Sequence, residues 1–371
     1  MEKKYIKKQI RFNFGGQKLL FDVNQSLFSS FSVDDGTKML LNSLRKNLEI
    51  NYSKILDLGC GYGTMGIFLK KQNPPSEVHC TDRDVLATEF TKHNAILNNC
   101  EIKSYPSLDY EEVKDKFSLI ITNFPAKAGT EVLKKFVWDA SNHLTEKGIF
   151  SIVIVRELEK EFREILREGI EIIYEEKKGG YFVFHLGYNK KISFEEDIYF
   201  RDKINYVLEE KRYFLNTVRN VPEFEKASYH TELINEILEK LEAKVVGIIN
   251  PFQGHRAISA EHFLKPKKIN LISRDLLQLK SSKENLEINN FFNFDVSATI
   301  EIETKGDLLI WIFDKNEDVE TIVEKLKLFK KNYNKIIFCD EKKKVEHIIK
   351  IAKMKVVDKK EKNNLKCVLI E

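Results

Sequence analysis

The chain has 371 residues, enough for two domains of ordinary size, and 42% of them are apolar, which suffices for packed cores. Charged residues reach 32%, but 61 Lys and Arg face 57 Asp and Glu, so a disordered composition is excluded, and a net charge of +4 implies no nucleic-acid or membrane partner by itself. There is no apolar run of membrane-spanning length, no secretory signal in Met1–Lys8, and no Cys-x-x-Cys pair among five scattered cysteines, so the expectation is a soluble cytoplasmic protein without a disulfide framework or metal site.

In chain order, alternation around Gly15-Gly16 predicts a hairpin over Ile10–Asp22. A helix follows the polar start Asp35-Gly-Thr37. From Lys54, short apolar runs alternate with helical periodicity. Strands are predicted at 55–58, 77–82, 117–122, 148–155 and 181–186, with helices near 64–69, 85–98, 132–144 and 158–166. That rhythm predicts a parallel sheet covered on both faces. Residues 191–240 are charged and helix-prone and read as a helical connector.

The rhythm then restarts, with strands at 243–249, 268–273, 307–313, 335–339 and 366–370 and helices between them. Ser273-Arg-Asp275 with Asn285 and Asn289-Asn290 echoes Thr81-Asp-Arg-Asp84 with Asn94 and Asn98-Asn99, so an internal duplication is the economical reading. The expected division is 1–190, 191–240 and 241–371.

The most informative segment is Ile55-Leu-Asp-Leu-Gly-Cys-Gly-Tyr-Gly-Thr64. It follows the first parallel strand and opens a helix, so Gly59, Gly61 and Gly63 let a ligand approach backbone N–H groups closely. Asp82 ends the next strand, where a carboxylate can accept from ribose hydroxyls. Asp57 would repel a pyrophosphate but suits an ammonium, which argues for S-adenosylmethionine over a dinucleotide. Asp57 to Gly63, with Asp82, resembles motif I and the ribose-binding acid of class I S-adenosylmethionine-dependent methyltransferases. The resemblance covers roughly residues 20–190. It implies a Rossmann-like methyltransferase fold, with Cys60 and Arg83 beside the cofactor.

After strand 117–122 comes Thr122-Asn-Phe-Pro-Ala-Lys-Ala-Gly129. The Asn123 amide oxygen can accept from an exocyclic amine, and Pro125 stiffens the loop. The loop resembles the Asn-Pro-Pro-aromatic motif of methyltransferases acting on exocyclic amino nitrogens. Phe124 stands where the second proline would be and Ala126 where the aromatic would be, so Phe124 is the candidate to stack on a flipped base. Phe28-Ser-Ser-Phe-Ser-Val-Asp-Asp-Gly-Thr37 resembles the segment before motif I in the "methyltransferase small" domain of small-subunit ribosomal RNA guanine-N2 methyltransferases. That resemblance implies that Asp35, Gly36 and Thr37 lie over the cofactor; a plain helix cap is the other reading.

Residues 241–371 have Asn250-Pro-Phe-Gln-Gly-His-Arg256 where a glycine loop belongs and no Asn-x-Pro after strand 307–313. They read as a degenerate copy serving RNA binding, support or dimerisation, with a retained small-molecule site also open. The fold expected is therefore α/β, tandem Rossmann-like methyltransferase domains, the second without cofactor motifs. The activity implied is N-methylation of an exocyclic amine in ribosomal RNA, with a small-molecule or protein substrate, or a purely binding role, as alternatives. RNA contact needs local positive charge, for which Lys3, Lys4, Lys7, Lys8 and Arg11, Lys177-Lys178, and Lys265, Lys267 and Lys268 are candidates. A monomer or homodimer is expected.

Overall fold

The computed structural model describes residues 1, 3–27, 31–47, 52–192, 197–314 and 316–371. The chain divides into two units, Met1–Tyr199 and Phe200–Glu371.

The first unit opens with a hairpin of β1 (Lys8–Phe14) and β2 (Gln17–Val23), then α1 (Asp35–Asn47). There follow β3 (Lys54–Leu58), α2 (Thr64–Gln72), β4 (Glu77–Asp82), α3 (Val85–Leu97), β5 (Lys103–Pro106) and β6 (Phe117–Asn123). The unit closes with α4 (Thr130–His143), β7 (Leu144–Val155), α5 (Glu159–Ile165), β8 (Ile170–Lys178) and β9 (Tyr181–Tyr188). Seven strands form one sheet in the order β5-β4-β3-β6-β7-β9-β8. The β5 to β7 pairs are parallel, whereas β9 runs antiparallel to both β7 and β8. The sheet is thus mixed, not parallel throughout as the rhythm predicted.

The second unit begins with β10 (Phe200–Leu208) and β11 (Lys211–Val218), then α6 (Tyr229–Leu238), β12 (Val245–Ile249), α7 (His255–Leu264) and β13 (Lys268–Ser273). It continues with α8 (Leu276–Ile288), β14 (Phe294–Ala298), β15 (Gly306–Trp311), α9 (Val319–Phe329), β16 (Tyr333–Glu341), α10 (Lys342–Ala352), β17 (Val356–Lys362) and β18 (Leu365–Ile370). Its sheet order, β14-β13-β12-β15-β16-β18-β17, repeats that of the first unit strand for strand. The expected helical connector over 191–240 is not what forms. Residues 200–218 are a second hairpin and belong to the second unit, and among the described residues of that span only α6 is helical. Glu209, with φ +51, starts its two-residue turn, a place where glycine or asparagine is the usual signal.

The inner strands are buried from end to end, as the runs Ile55–Leu58 and Val246–Ile249 show. Strands covered on both faces need apolar residues at every position, which is why these read as continuous runs. Each large apolar side chain withdrawn from water, such as Phe68, Phe90 or Phe150, contributes about 1.5–3 kcal/mol.

The echo of asparagines has a structural cause. Asn94 on α3 accepts from the Asp22 N–H of β2 at 2.8 Å and donates back to its carbonyl at 3.0 Å. Asn98 makes the same pair of bonds with Leu20. On α8, Asn285 and Asn289 bind Asn216 and Phe214 of β11 in the same way. Each asparagine amide satisfies a backbone donor and acceptor of the hairpin, so it fastens the hairpin to the helix. Asn99 and Asn290 take φ +51 and +62 just past the helix ends, a conformation asparagine tolerates. Among the described residues no helix is long and apolar enough to cross a membrane.

Candidate active site

The glycine loop leaves the carboxyl end of β3, and Gly59, Gly61 and Gly63 all have positive φ (76°, 55° and 92°). A Cβ at Gly61 would meet nothing within 4 Å, so open space lies beside that backbone. Gly63 differs: a Cβ there would press on Ile67 and Thr91 at 2.9–3.0 Å, so it is a packing glycine at the start of α2. Beneath the loop, Asp57 is fully buried; its Oδ2 accepts from the Gly66 N–H at 2.8 Å and its Oδ1 has no partner. Burial pushes its carboxyl up to about 7, and the nearby Asp82 charge adds to the rise. The hydroxyls of Thr81 and Thr122, in the flanking strands β4 and β6, are also buried and unpartnered. A buried polar floor with three unanswered groups under an open glycine loop fits a polar ligand that brings its own donors.

Asp82 ends β4 half-buried; its two oxygens accept from the Gly61 and Asp84 N–H groups at 3.0 and 2.9 Å. The carboxylate therefore braces the loop. Arg83 lies close enough to Asp109 to favour its ionised form, though burial dominates and raises that carboxyl to about 6. Cys60 is buried, contacts the Thr91 hydroxyl at 3.4 Å, and has its thiol pushed up by burial and by Asp82 and Asp57. It is no nucleophile.

Asn123 stands at the end of β6. Its Nδ2 donates to Asp34 Oδ2 and to Thr37 Oγ1, both at 2.9 Å. A carboxylate only accepts, so the amide orientation is fixed and Oδ1 is left as the acceptor. Asp34 also accepts from the Thr37 N–H at 3.2 Å, as a helix cap does, and from the Tyr181 hydroxyl at 3.0 Å. Gly36 permits this: a Cβ there would lie 2.8 Å from the Asp34 carboxylate and 2.9 Å from the Tyr181 ring.

The structure brings Thr37 and Gly36 close to Asn123 and Asp34, but not Asp35. The Asp35 side chain is 80% exposed and pairs with Lys38 at 2.7 Å. Asp34, one residue earlier, makes the contacts. Its signal was the capping rule, since Asp34 precedes a helix whose third residue is Thr37. Tyr181, which arrives from β9, carried no local signal. Phe124 is also displaced from its expected role: it is 2% exposed and packs edge-on against Phe136 at 5.5 Å, so it offers no face for a base. Pro125 is exposed beside it. Phe28, Ser29 and Ser30 of the upstream segment lie outside the described residues.

At the opposite, amino end of the sheet, Glu77, His79 and Asp115 bring three potential ligand atoms together. Lys54 and Lys103 already neutralise them, and the Lys103 and His79 hydrogen bonds hold the Glu77 carboxyl down at about 2. This is an ion-pair network.

In the second unit, Asn250, Phe252 and Gly254 (φ 55°, 54° and 93°) reproduce the backbone path of the glycine loop without two of its glycines. Ser273 stands where Asp82 does, at the end of the second strand.

Comparison with known proteins supplies relatives for this arrangement. Residues 18–185 match the profile of the methyltransferase small domain. "Ribosomal RNA small subunit methyltransferase C" of Shewanella sediminis is 35% identical over 136 residues, 36% of this chain and 38% of that protein. The protein of the same name from Photobacterium profundum is 29% identical over 163 residues, 43% of this chain and 46% of its own length. The matched segment thus spans less than half of these curated relatives. A T. thermophilus 16S rRNA N2 G1207 methyltransferase (RsmC), solved with AdoMet and guanosine, superposes with a TM-score of 0.72. It covers 100% of both chains at 14% identity, a likeness that establishes the fold alone.

Proposed function

From the match of residues 18–185 to the profile of the methyltransferase small domain, we propose that the chain is an S-adenosylmethionine-dependent methyltransferase acting on the exocyclic N2 amine of guanine in small-subunit ribosomal RNA. The observation that carries the reading is the fixed amide of Asn123. Its oxygen can accept from an amine, while Asp34 and Thr37 prevent the flip that would present a donor instead. The matching names among the curated relatives support RNA as the substrate.

The cofactor's pocket is supplied by the chain's own groups. Gly59 and Gly61 let it lie against the loop, Asp82 receives the ribose hydroxyls, and the buried carboxyl of Asp57 lies where an ammonium can neutralise it. When bound, S-adenosylmethionine supplies an electrophilic methyl group. Asn123 positions the amine nitrogen and stabilises the positive charge that grows on it. Positioning and acceptor oxygens suffice for this chemistry. With Phe124 buried, Tyr181 is the aromatic side chain in contact with Asp34.

The second unit is proposed as a copy that transfers no methyl group, because Asn250, Phe252 and Ser273 replace the two open glycines and the ribose acid. Calorimetric titration with S-adenosylmethionine tests the cofactor assignment. The wild type should bind one equivalent and Asp82→Ala should bind at least tenfold more weakly. Unchanged affinity would remove Asp82 from the site.

A further inference from the structure

The turn between β8 and β9 stands beside the candidate active site. Asn123, Val153 and Val183 lie in one row across β6, β7 and β9, and Val155 and Tyr181 lie two residues further toward the carboxyl ends of β6 and β7. Ligands of open α/β sheets bind at that end. Two strand spacings across and two residues along put the Tyr181 Cα about 12 Å from that of Asn123. Side chains close this gap: the Tyr181 hydroxyl donates to Asp34 Oδ1 at 3.0 Å, and Asp34 Oδ2 accepts from Asn123 Nδ2 at 2.9 Å. The Gly180 carbonyl in turn accepts from the Arg156 N–H at 2.8 Å, so the residue that follows β7 is fixed to the turn.

The turn is open and basic. A Cβ at Gly179 or Gly180 would meet nothing within 4 Å. Arg156, Lys177 and Lys178 are exposed around it, and among the described residues none of the three has an ion-pair partner. Carboxylates close by in the sequence are engaged elsewhere: Glu159 and Glu175 pair with Arg163, and Glu176 accepts from the Tyr174 hydroxyl at 3.0 Å. Three cations against the exposed Glu157 leave this edge positive. Other basic stretches are committed to the protein. Lys8 donates to the Phe31 carbonyl at 3.0 Å, and Lys268 pairs with Asp295.

We propose that Arg156, Lys177 and Lys178 bind phosphate groups of the RNA strand that carries the target guanosine. Cations beside an amine-binding group suit a flipped nucleotide, because its base enters the site while its phosphates stay at the rim. Such contacts fix where the strand lies and read no sequence. Tyr181 stands between the cations and the amide. The strand is thus held by the same turn that braces Asp34 and, through it, Asn123. The inference rests on the reading of RNA as the substrate.

Two measurements on the full-length protein test this. Methyl transfer to small-subunit ribosomal RNA from cells lacking the protein gives KM and kcat. Fluorescence anisotropy of a labelled single-stranded RNA bearing one guanosine gives the salt dependence of binding. In the combined Arg156→Gln, Lys177→Gln and Lys178→Gln variant, KM for RNA should rise at least tenfold, with kcat and S-adenosylmethionine affinity unchanged. Each phosphate contact on a single strand contributes about 0.7 to the slope of log affinity against log salt, so the slope should fall by about 2. Replacing the exposed Lys343, Lys350 and Lys355 by Gln removes the same charge elsewhere and should change neither quantity. RNA methylated with unchanged KM and slope in the first variant, or an equal change in both variants, would overturn the proposal. Wild-type protein that transfers methyl groups but neither binds nor methylates RNA would instead remove RNA as the substrate, and the proposal with it.

Discussion

At the scale of single residues, the account turns on how one amide is held. Asn123→Ala should abolish methyl transfer while S-adenosylmethionine still binds, because the cofactor contacts assigned to Gly59, Gly61 and Asp82 are untouched. Asp34→Asn is the subtler test. It keeps the shape of the cap but adds a donor, so the Asn123 amide loses the partner that fixes its orientation. The expected result is a fall in kcat of tenfold or more with little change in cofactor affinity; an unchanged kcat would show that Asp34 only caps α1. Asp57 makes a prediction about pH. Its folded carboxyl titrates near 7, above the ordinary carboxylate value of 3.8. The native state therefore holds a proton that the unfolded chain has released, and stability falls as pH rises from about 4 to about 7. Asp57→Asn should flatten thermal melts across that interval and stabilise the apo protein at pH 8. It should also weaken cofactor binding, since an amide cannot meet an ammonium as a carboxylate does. Melts that retain the wild-type slope would contradict the raised titration.

At the scale of elements, the helix-to-hairpin fastening is the most testable feature. Asn94→Ala removes three hydrogen bonds, to both backbone groups of Asp22 and to the Tyr62 carbonyl, and leaves those groups buried. The expected loss is about 2–4 kcal/mol in denaturant titrations. Asn285→Ala, with its bonds to Asn216 and Gln253, should cost the second unit a similar amount. A loss under about 0.5 kcal/mol for both, the level of an ordinary surface change, would show that the hairpins are held by apolar packing instead.

These elements also show what a reader of the sequence could and could not see. The inner strands and the helices between them were legible because two-sided burial writes continuous apolar runs. The Gly15-Gly16 turn announced β1 and β2. The β10–β11 hairpin was hidden because Glu209-Glu210 occupy its turn. The outer strands β8 and β17 were hidden because alternate side chains face water, leaving charged stretches such as Val356–Lys362 without an apolar run. In the site, Asp57, Gly59, Gly61, Asp82 and Asn123 lie close together in local motifs. Tyr181 is far away in sequence, and Asp34 was masked by the neighbouring Asp35. The burial of Phe124 is not written in its motif, because chemistry alone does not say which way a strand-end aromatic points.

At the scale of the whole molecule, two units with one strand order carry different residues at equivalent places. The first keeps open glycines, a ribose acid and a fixed amide. The second keeps the backbone path through Asn250, Phe252 and Gly254 but fills it with side chains. The polar cluster of Glu223, Arg256 and Thr231 replaces that of Asp34, Thr37 and Asn123.

The most direct test of the central claim is transfer of a labelled methyl group from S-adenosylmethionine to total RNA from cells lacking the protein, followed by digestion to nucleosides. The account predicts label in N2-methylguanosine from small-subunit ribosomal RNA, lost with Asn123→Ala. Label in another nucleoside, or cofactor binding with no RNA labelled, would contradict it.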